Sequence, residues 1–345
     1  MHSPDFWWST EPSLAARLLQ PLGKVYGNIT VRRMAKIGAT SAEPVICIGN
    51  FIAGGAGKTP TAIAVAEHLR TLGRSPAFLT RGYGGRMAGP VLLAQDEQTE
   101  VDYTHLDVGD EPLLLSRHAP VMVARNRLDG LHELLSDDGP NPDVIIMDDG
   151  LQNPSIRKTL TFAVVDGKNG NGNGLCIPAG PLRAPFASQL PYVDALIIIG
   201  GGVPGEQVAQ TAKALGKRIF TARIEPDTHA ARAIRGRRVL AFAGIGKPEK
   251  FFTMLERIGA EVVSRKAFPD HAPFSSGQIA ALEHEAQQHD LLPVTTEKDA
   301  VRLLTISAAP QLRASLAIVP VQLVFDDEDG IRDYLKKAIE GHSAG

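Results

Sequence analysis

Lys58 and Thr59 close a glycine-rich stretch, Gly49-Asn50-Phe51-Ile52-Ala53-Gly54-Gly55-Ala56-Gly57-Lys58-Thr59-Pro60, which follows the apolar run Val45-Ile46-Cys47-Ile48. Such a stretch can cradle phosphate. Glycines let successive backbone N–H groups turn toward one anion, and a helix starting at the loop's end adds its own unpaired N–H groups. In this reading Gly54, Gly55, Ala56, Gly57, Lys58 and Thr59 bind ATP, with Lys58 on the β- and γ-phosphates and the Thr59 hydroxyl on Mg²⁺. Pro60 suits an early helical position, which needs no intrahelical N–H partner. The strict G-x-x-x-x-G-K-[ST] spacing asks for glycine where the chain has Ile52, and the K-G-G-x-G-K-T form asks for lysine where it has Ala53. An ordinary strand–turn–helix is the competing reading. The helical period of Ile63, Ala64, Ala66, Glu67 and Leu69 behind the loop favours the phosphate site.

Two acidic pairs accompany the loop. Asp148-Asp149 ends the apolar run at 143–147, and a carboxylate at a strand end beside a phosphate cradle can hold Mg²⁺ directly or through water. A capped turn is the bland alternative, and either aspartate can be the one on the metal. Asp110-Glu111, between Gly109 and Pro112, opens an expected helix. Its carboxylates either serve that helix N-terminus or supply the group that orients an acceptor hydroxyl and takes its proton. His271 stands in Phe268-Pro269-Asp270-His271-Ala272-Pro273-Phe274, either as a turn histidine or as a residue that domain closure brings to a carboxylate. Thr295-Thr296-Glu297-Lys298-Asp299 reads as a helix cap or as a support for that loop.

Positioning these groups requires a sheet. Short apolar runs at 76–80, 120–124, 143–147, 161–165 and 194–199 alternate with helical segments. They predict an α/β fold, a P-loop NTPase-like parallel sheet with helices on both faces, its ligands gathered where strands end. A second βα series from 239 onward, with strands at 292–295 and 316–324, predicts a smaller α/β domain. The expected division is 1–42 as amphipathic membrane-associating helices, 43–215 as the kinase domain, 216–238 as an arginine-rich linker and 239–345 as the smaller domain closing over the site.

Composition narrows the class. The 345 residues carry a formal net charge of −2, which argues against a nucleic-acid surface. Cys47 and Cys176 are too few and too far apart for a zinc site, and fit a reduced cytosolic state. No 18-residue apolar run occurs and no signal peptide is expected. The N-terminus combines Phe6-Trp7-Trp8 with Arg17, Lys24, Arg32, Arg33 and Lys36 among Leu14, Leu18, Leu19, Leu22, Val25, Ile29 and Val31. This segment either lies in an anionic membrane interface or docks on the protein's own core.

The full series of motifs resembles the tetraacyldisaccharide 4′-kinases of lipid A synthesis. It comprises the loop at 49–60, Thr80-Arg81-Gly82-Tyr83-Gly84, Gly109-Asp110-Glu111-Pro112, Asp148-Asp149-Gly150-Leu151-Gln152, Pro178-Ala179-Gly180-Pro181-Leu182-Arg183, Phe268-Pro269-Asp270-His271 and Thr296-Glu297-Lys298-Asp299. The resemblance covers nearly the whole chain. It implies a monomeric, peripheral enzyme at the cytoplasmic face of the inner membrane, phosphorylating an acylated glucosamine disaccharide 1-phosphate at its 4′-hydroxyl. It also implies Asp110 as base, His271 as its partner, and Glu111 and Asp149 at the metal. Family members often carry glutamate after Pro-Leu-Arg, where this chain has Ala184. A kinase for a soluble hydroxyl acceptor and a nucleotide-switched binding module are the competing expectations.

Overall fold

The computed structural model describes residues 4–9, 11–93, 103–270, 272–304 and 310–343. Its strands are β1 (Val45–Gly49), β2 (Pro76–Thr80), β3 (Val91–Leu93), β4 (Val121–Val123), β5 (Val144–Asp148), β6 (Leu160–Asp166), β7 (Ala195–Ile199), β8 (Arg218–Pro226), β9 (Arg238–Ala243), β10 (Glu261–Ala267), β11 (Leu292–Thr296), β12 (Ala317–Val319) and β13 (Val321–Phe325). Nine form one sheet in the order β13-β8-β7-β6-β1-β5-β2-β4-β3, and β10-β9-β11-β12 form another. The large sheet is parallel except at its edges, where β3 runs against β4 and β13 against β8.

The central strands are buried along their whole length, which is why their sequences read as unbroken apolar runs rather than alternations. On one face Ile46, Ile48, Ile146 and Phe162 pack with Val65 and Leu69 of the helix Lys58–Thr71 and with Ile331, Leu335 and Ile339 of the helix Glu328–Ser343. On the other, Ala163, Val165, Leu196 and Ile198 pack with Phe51, Leu151, Met34 and Val208. The second sheet has its own two-sided core, built around Val239, Ala241, Phe251 and Leu255 on one side and Leu240, Phe242, Ile279 and Leu282 on the other.

Two expected boundaries change. The arginine-rich segment at 216–238, expected as a linker, contains β8, whose Ile197↔Phe220 and Ile199↔Ala222 pairing with β7 places it in the large sheet. Phe220 and Ala222 face the core, whereas Thr221 and Arg223 on the opposite face are exposed. The region 239–345, expected as one smaller domain, leaves the second sheet before its end. Pro320 breaks the expected 316–324 strand into β12 and β13, and β13 pairs antiparallel with β8, Val321 opposite Pro226. The smaller unit is therefore residues 227–320, inserted between two neighbouring strands of the large sheet. It meets the large unit through the helix Glu297–Leu304 packed on the helix Asp110–Leu115, through Arg117–Glu297 at 3.7 Å and through Lys250–Asp166 at 2.8 Å.

The N-terminal segment is a short 3₁₀ turn (Asp5–Trp7) and one 21-residue helix, Leu14–Met34. Ala16, Gly23, Gly27, Thr30 and Met34 are its buried face. Leu14, Leu18, Leu22, Val25 and Ile29 project into solvent, each more than half exposed. No helix among the described residues is long and apolar enough to cross a membrane.

Candidate active site

The loop between β1 and the Lys58 helix has a fixed first half and an open second half. Ile52 bridges Leu182, Ala53 donates its N–H to the Pro181 carbonyl at 2.8 Å, and Arg183 donates its N–H to Phe51 at 2.9 Å. That strand-like seam explains why the strict pattern's glycine is replaced by a buried isoleucine. Beyond it, Asn50 Nδ2 holds the Gly54 carbonyl at 3.1 Å, and a side chain on Gly54 or Gly55 would meet nothing within 4 Å. Gly57 caps the helix at φ 92°, and a Cβ there would come within 2.5 Å of Ile199. Only glycine fits that position without strain.

Lys58 Nζ lies 3.7 Å from Asp149 Oδ1. Arg183 grips the same carboxylate with both of its terminal nitrogens, at 2.8 and 3.0 Å, and reaches Gln152 at 3.1 Å. Gln152 in turn donates to the Asn50 carbonyl and to Gln189, both at 2.8 Å. Gln189 donates to the carbonyl of Ala184 at 2.6 Å. The Pro-Leu-Arg segment thus ties the phosphate loop to the Asp149 turn. Ala184 is buried, and Arg183 is satisfied by Asp149 and Gln152 in place of a following glutamate. Asp149 itself sits at φ 51°. Burial raises its pKa, but the charges of Lys58 and Arg183 overcome this and hold it down to about 2.

Asp148 is the opposite case. It is buried, and one carboxylate oxygen, Oδ1, has no hydrogen-bond partner among the described residues. Burial first, then the charges of Glu111 and Asp149, push its pKa from 3.8 up to about 7. Between those values the native state binds more protons than the unfolded chain, so stability is fully present below the window and is lost as pH rises through it. In metal-free protein, Asp148→Asn should raise the melting temperature more at about pH 8 than at about pH 5, measured by calorimetry. Equal gains at both pH values would show that Asp148 ionises normally.

Arg127, buried beside the pair, was not legible from sequence. It donates to the Ala124 carbonyl at 2.6 Å. Burial lowers its pKa to about 10 against the opposing charges of Asp148 and Asp149.

These groups suit a magnesium ion. Asp148 offers a buried, unsatisfied oxygen at the end of β5, Glu111 is close enough to perturb it, and Thr59 stands in the first turn of the Lys58 helix. No three His, Cys, Asp or Glu side chains form a cage among the described residues. Mg²⁺ does not need one, since it is held by one or two carboxylates together with substrate phosphates and water.

Asp110 begins its helix after Gly109, which adopts φ 92°, and a Cβ on Gly109 would stand 2.5 Å from the Tyr83 carbonyl. The Arg81-Gly82-Tyr83 turn therefore presses directly on the start of the acidic helix. Asp110 is buried, with Oδ1 accepting the Glu111 N–H at 3.0 Å and Oδ2 facing Lys298 at 3.7 Å and Arg302 at 4.0 Å. The structure thus gathers Lys58, Asp148, Asp149 and Glu111, with Asp110 adjacent on the Glu111 helix. His271 lies outside the described residues, so its expected pairing with Asp110 has no geometry here; its neighbours Asp270 and Ala272 are both held by the helix Glu297–Leu304.

A parallel α/β sheet with a glycine-rich loop and lysine after its first central strand, and acidic residues at the next strand end, resembles the P-loop-like kinases. The model of the family "Tetraacyldisaccharide-1-P 4'-kinase" (LpxK) matches residues 15–340, and the chain belongs to that family. It is 49% identical over 343 residues to a tetraacyldisaccharide 4'-kinase of Methylobacterium sp. (strain 4-46), covering 99% of both chains. It is 44% identical to that of Rhodopseudomonas palustris (strain BisB5), over 98% of this chain and 97% of the other. The fold matches the crystal structure of LpxK from Aquifex aeolicus in complex with ATP with a TM-score of 0.72, over 94% of this chain and 100% of that one, at 22% identity.

Proposed function

We propose that the protein transfers the γ-phosphate of ATP to the 4′-hydroxyl of tetraacyldisaccharide 1-phosphate, giving lipid IV-A, at the cytoplasmic face of the inner membrane. The observation that carries this reading is the gathering of Lys58, Asp148, Asp149 and Glu111 at the C-terminal ends of β1 and β5, in a chain of this family. In the proposed mechanism, backbone N–H groups at 54–59 and Lys58 hold the β- and γ-phosphates, and Asp110 orients the acceptor hydroxyl and takes its proton. Asp148, with Glu111 close enough to perturb it and Thr59 in the first turn of the Lys58 helix, would hold Mg²⁺, because both oxygens of Asp149 are already engaged by Arg183. When bound, Mg²⁺ supplies charge stabilisation for the transferring phosphoryl group. The smaller unit closes over this site and brings His271 to Asp110. Purified protein in detergent should transfer label from γ-labelled ATP to the disaccharide 1-phosphate when Mg²⁺ is present. Brisk transfer to a soluble hydroxyl compound and none to the disaccharide would overturn the substrate assignment.

The N-terminal helix supports the membrane part of the proposal. Its exposed Leu14, Leu18, Leu22, Val25 and Ile29 follow one helical face, beside the exposed Lys24, Arg32 and Lys36. The tryptophans are less available than the helix. Trp7 Nε1 donates to the Pro178 carbonyl at 3.0 Å, and Lys247 lies over the Trp8 ring at 5.6 Å. Acyl chains resist leaving the bilayer at about 0.8 kcal/mol per CH₂, so the enzyme must come to its substrate. Changing Leu18, Leu22, Val25 and Ile29 to Ser should therefore release the protein from anionic vesicles in a sedimentation assay while ATP binding in solution survives. Unchanged sedimentation would place the interfacial face elsewhere.

A further inference from the structure

The helix Glu297–Leu304 belongs to the smaller unit, yet it lies against the carboxylate proposed as the base. Lys298 and Arg302 are one helical turn apart on it, so they share a face. Both reach the same oxygen, Asp110 Oδ2, at 3.7 and 4.0 Å. Each also holds a second residue of the smaller unit, Asp270 or Ala272. Lys298 Nζ is 3.3 Å from Asp270 Oδ1, and Arg302 Nη1 donates to the Ala272 carbonyl at 2.9 Å.

Arg302 is itself held rigidly. It is completely buried, donates to the Gly244 carbonyl at 2.6 Å, pairs with Asp299 and lies over the Phe274 ring at 5.4 Å. Asp299 accepts the Gly244 N–H at 3.0 and 3.1 Å and the Thr296 hydroxyl at 2.6 Å. Thr296-Glu297-Lys298-Asp299 is thus more than a helix start. Thr296 and Asp299 lock the first turn onto the end of β9, and that lock aims Lys298 and Arg302 across the boundary between the two units.

We propose that Lys298 and Arg302 are positioning residues for phosphoryl transfer, fastening the Asp110 carboxylate, Asp270 and Ala272 into one arrangement across the interface. The proposal rests on Asp110 being the base. Asp110 Oδ1 is fixed by its own helix through the Glu111 N–H. Rotation about that bond would move Oδ2 away from the two cations of the facing unit, which oppose it. A carboxylate displaced by even an ångström from an acceptor hydroxyl loses on the order of 10²-fold in rate.

Lys298 is the residue to test, because it is partly exposed whereas removing Arg302 would leave Asp299 buried without its cation. Lys298→Met should lower kcat by about 10- to 100-fold and leave KM for ATP within about twofold of wild type, a split that a loss of nucleotide binding would not give. Lys298→Arg, which keeps a cation at that position, should recover most of the rate. In an Asp110→Asn background, Lys298→Met should have little further effect, because a positioning residue acts only through the group it positions. Multiplicative losses, or an undiminished kcat in Lys298→Met, would overturn the proposal. An undiminished kcat in Asp110→Asn alone would instead overturn Asp110 as base. Should Lys298→Met melt well below wild type, Lys298→Arg decides alone, and an Arg variant of wild-type melting temperature but Met-like kcat also refutes the idea.

Discussion

Lys58→Ala should lower kcat by about 10²–10³-fold with saturating ATP and acceptor, while circular dichroism and melting temperature stay close to wild type. The ammonium stands in the first helical turn after the glycine-rich loop, where charge moving onto the phosphoryl oxygens in the transition state has to be neutralised. Its one ion pair among the described residues is the 3.7 Å contact with Asp149, a residue that Arg183 also holds at 2.8 Å, so the fold does not hang on it. The loss should appear mainly in kcat, since backbone N–H groups and the helix terminus still receive the phosphates. A variant retaining near wild-type kcat/KM would take this loop out of the chemistry.

Asp110→Asn should cost about 10²–10⁴-fold in kcat, the range for removing a general base. The substitution is nearly isosteric, and the amide oxygen can still accept the Glu111 N–H. What it removes is the proton acceptor and the charge facing Lys298 and Arg302. The melting temperature must therefore be followed alongside the rate. If the deficit lies in KM for ATP with kcat preserved, the carboxylate serves the nucleotide and the acceptor's proton goes elsewhere.

The strand–loop–helix around Lys58 was legible because its signal is local. A buried strand, φ-permissive glycines and a helix with an early proline all lie within residues 45–71. The acidic pairs were legible as strand and helix termini for the same reason. Long-range partners were not. The grip of Arg183 on Asp149 spans 34 residues, and the contact of Lys298 with Asp110 crosses two units. Nothing in the sequence singles out Arg127, since an arginine is seldom buried without a partner. It is buried here because the Asp148-Asp149 turn lies beside it. The last two strands at one end of the large sheet failed differently. β8 mixes arginines and a glutamate with apolar residues and resembles a linker, and β13 has a pattern equally suited to either sheet. Periodicity says which residues are buried, never which sheet they join.

The two strand ends through which the smaller unit leaves and re-enters the large sheet, Pro226 and Val321, are direct neighbours in the ladder, and the Asp227 N–H meets the Pro320 carbonyl at 2.9 Å just beyond them. Residues 227–320 are thus a cassette on a double stem. Antiparallel neighbours can be joined by a two-residue turn, so the cassette could be cut out and the stem closed as a hairpin without rethreading any other strand. The double stem also constrains mechanics. Twisting the cassette would shear paired strands, whereas tilting it bends both together, so its easy motion is a rocking about the end of β8 and β13.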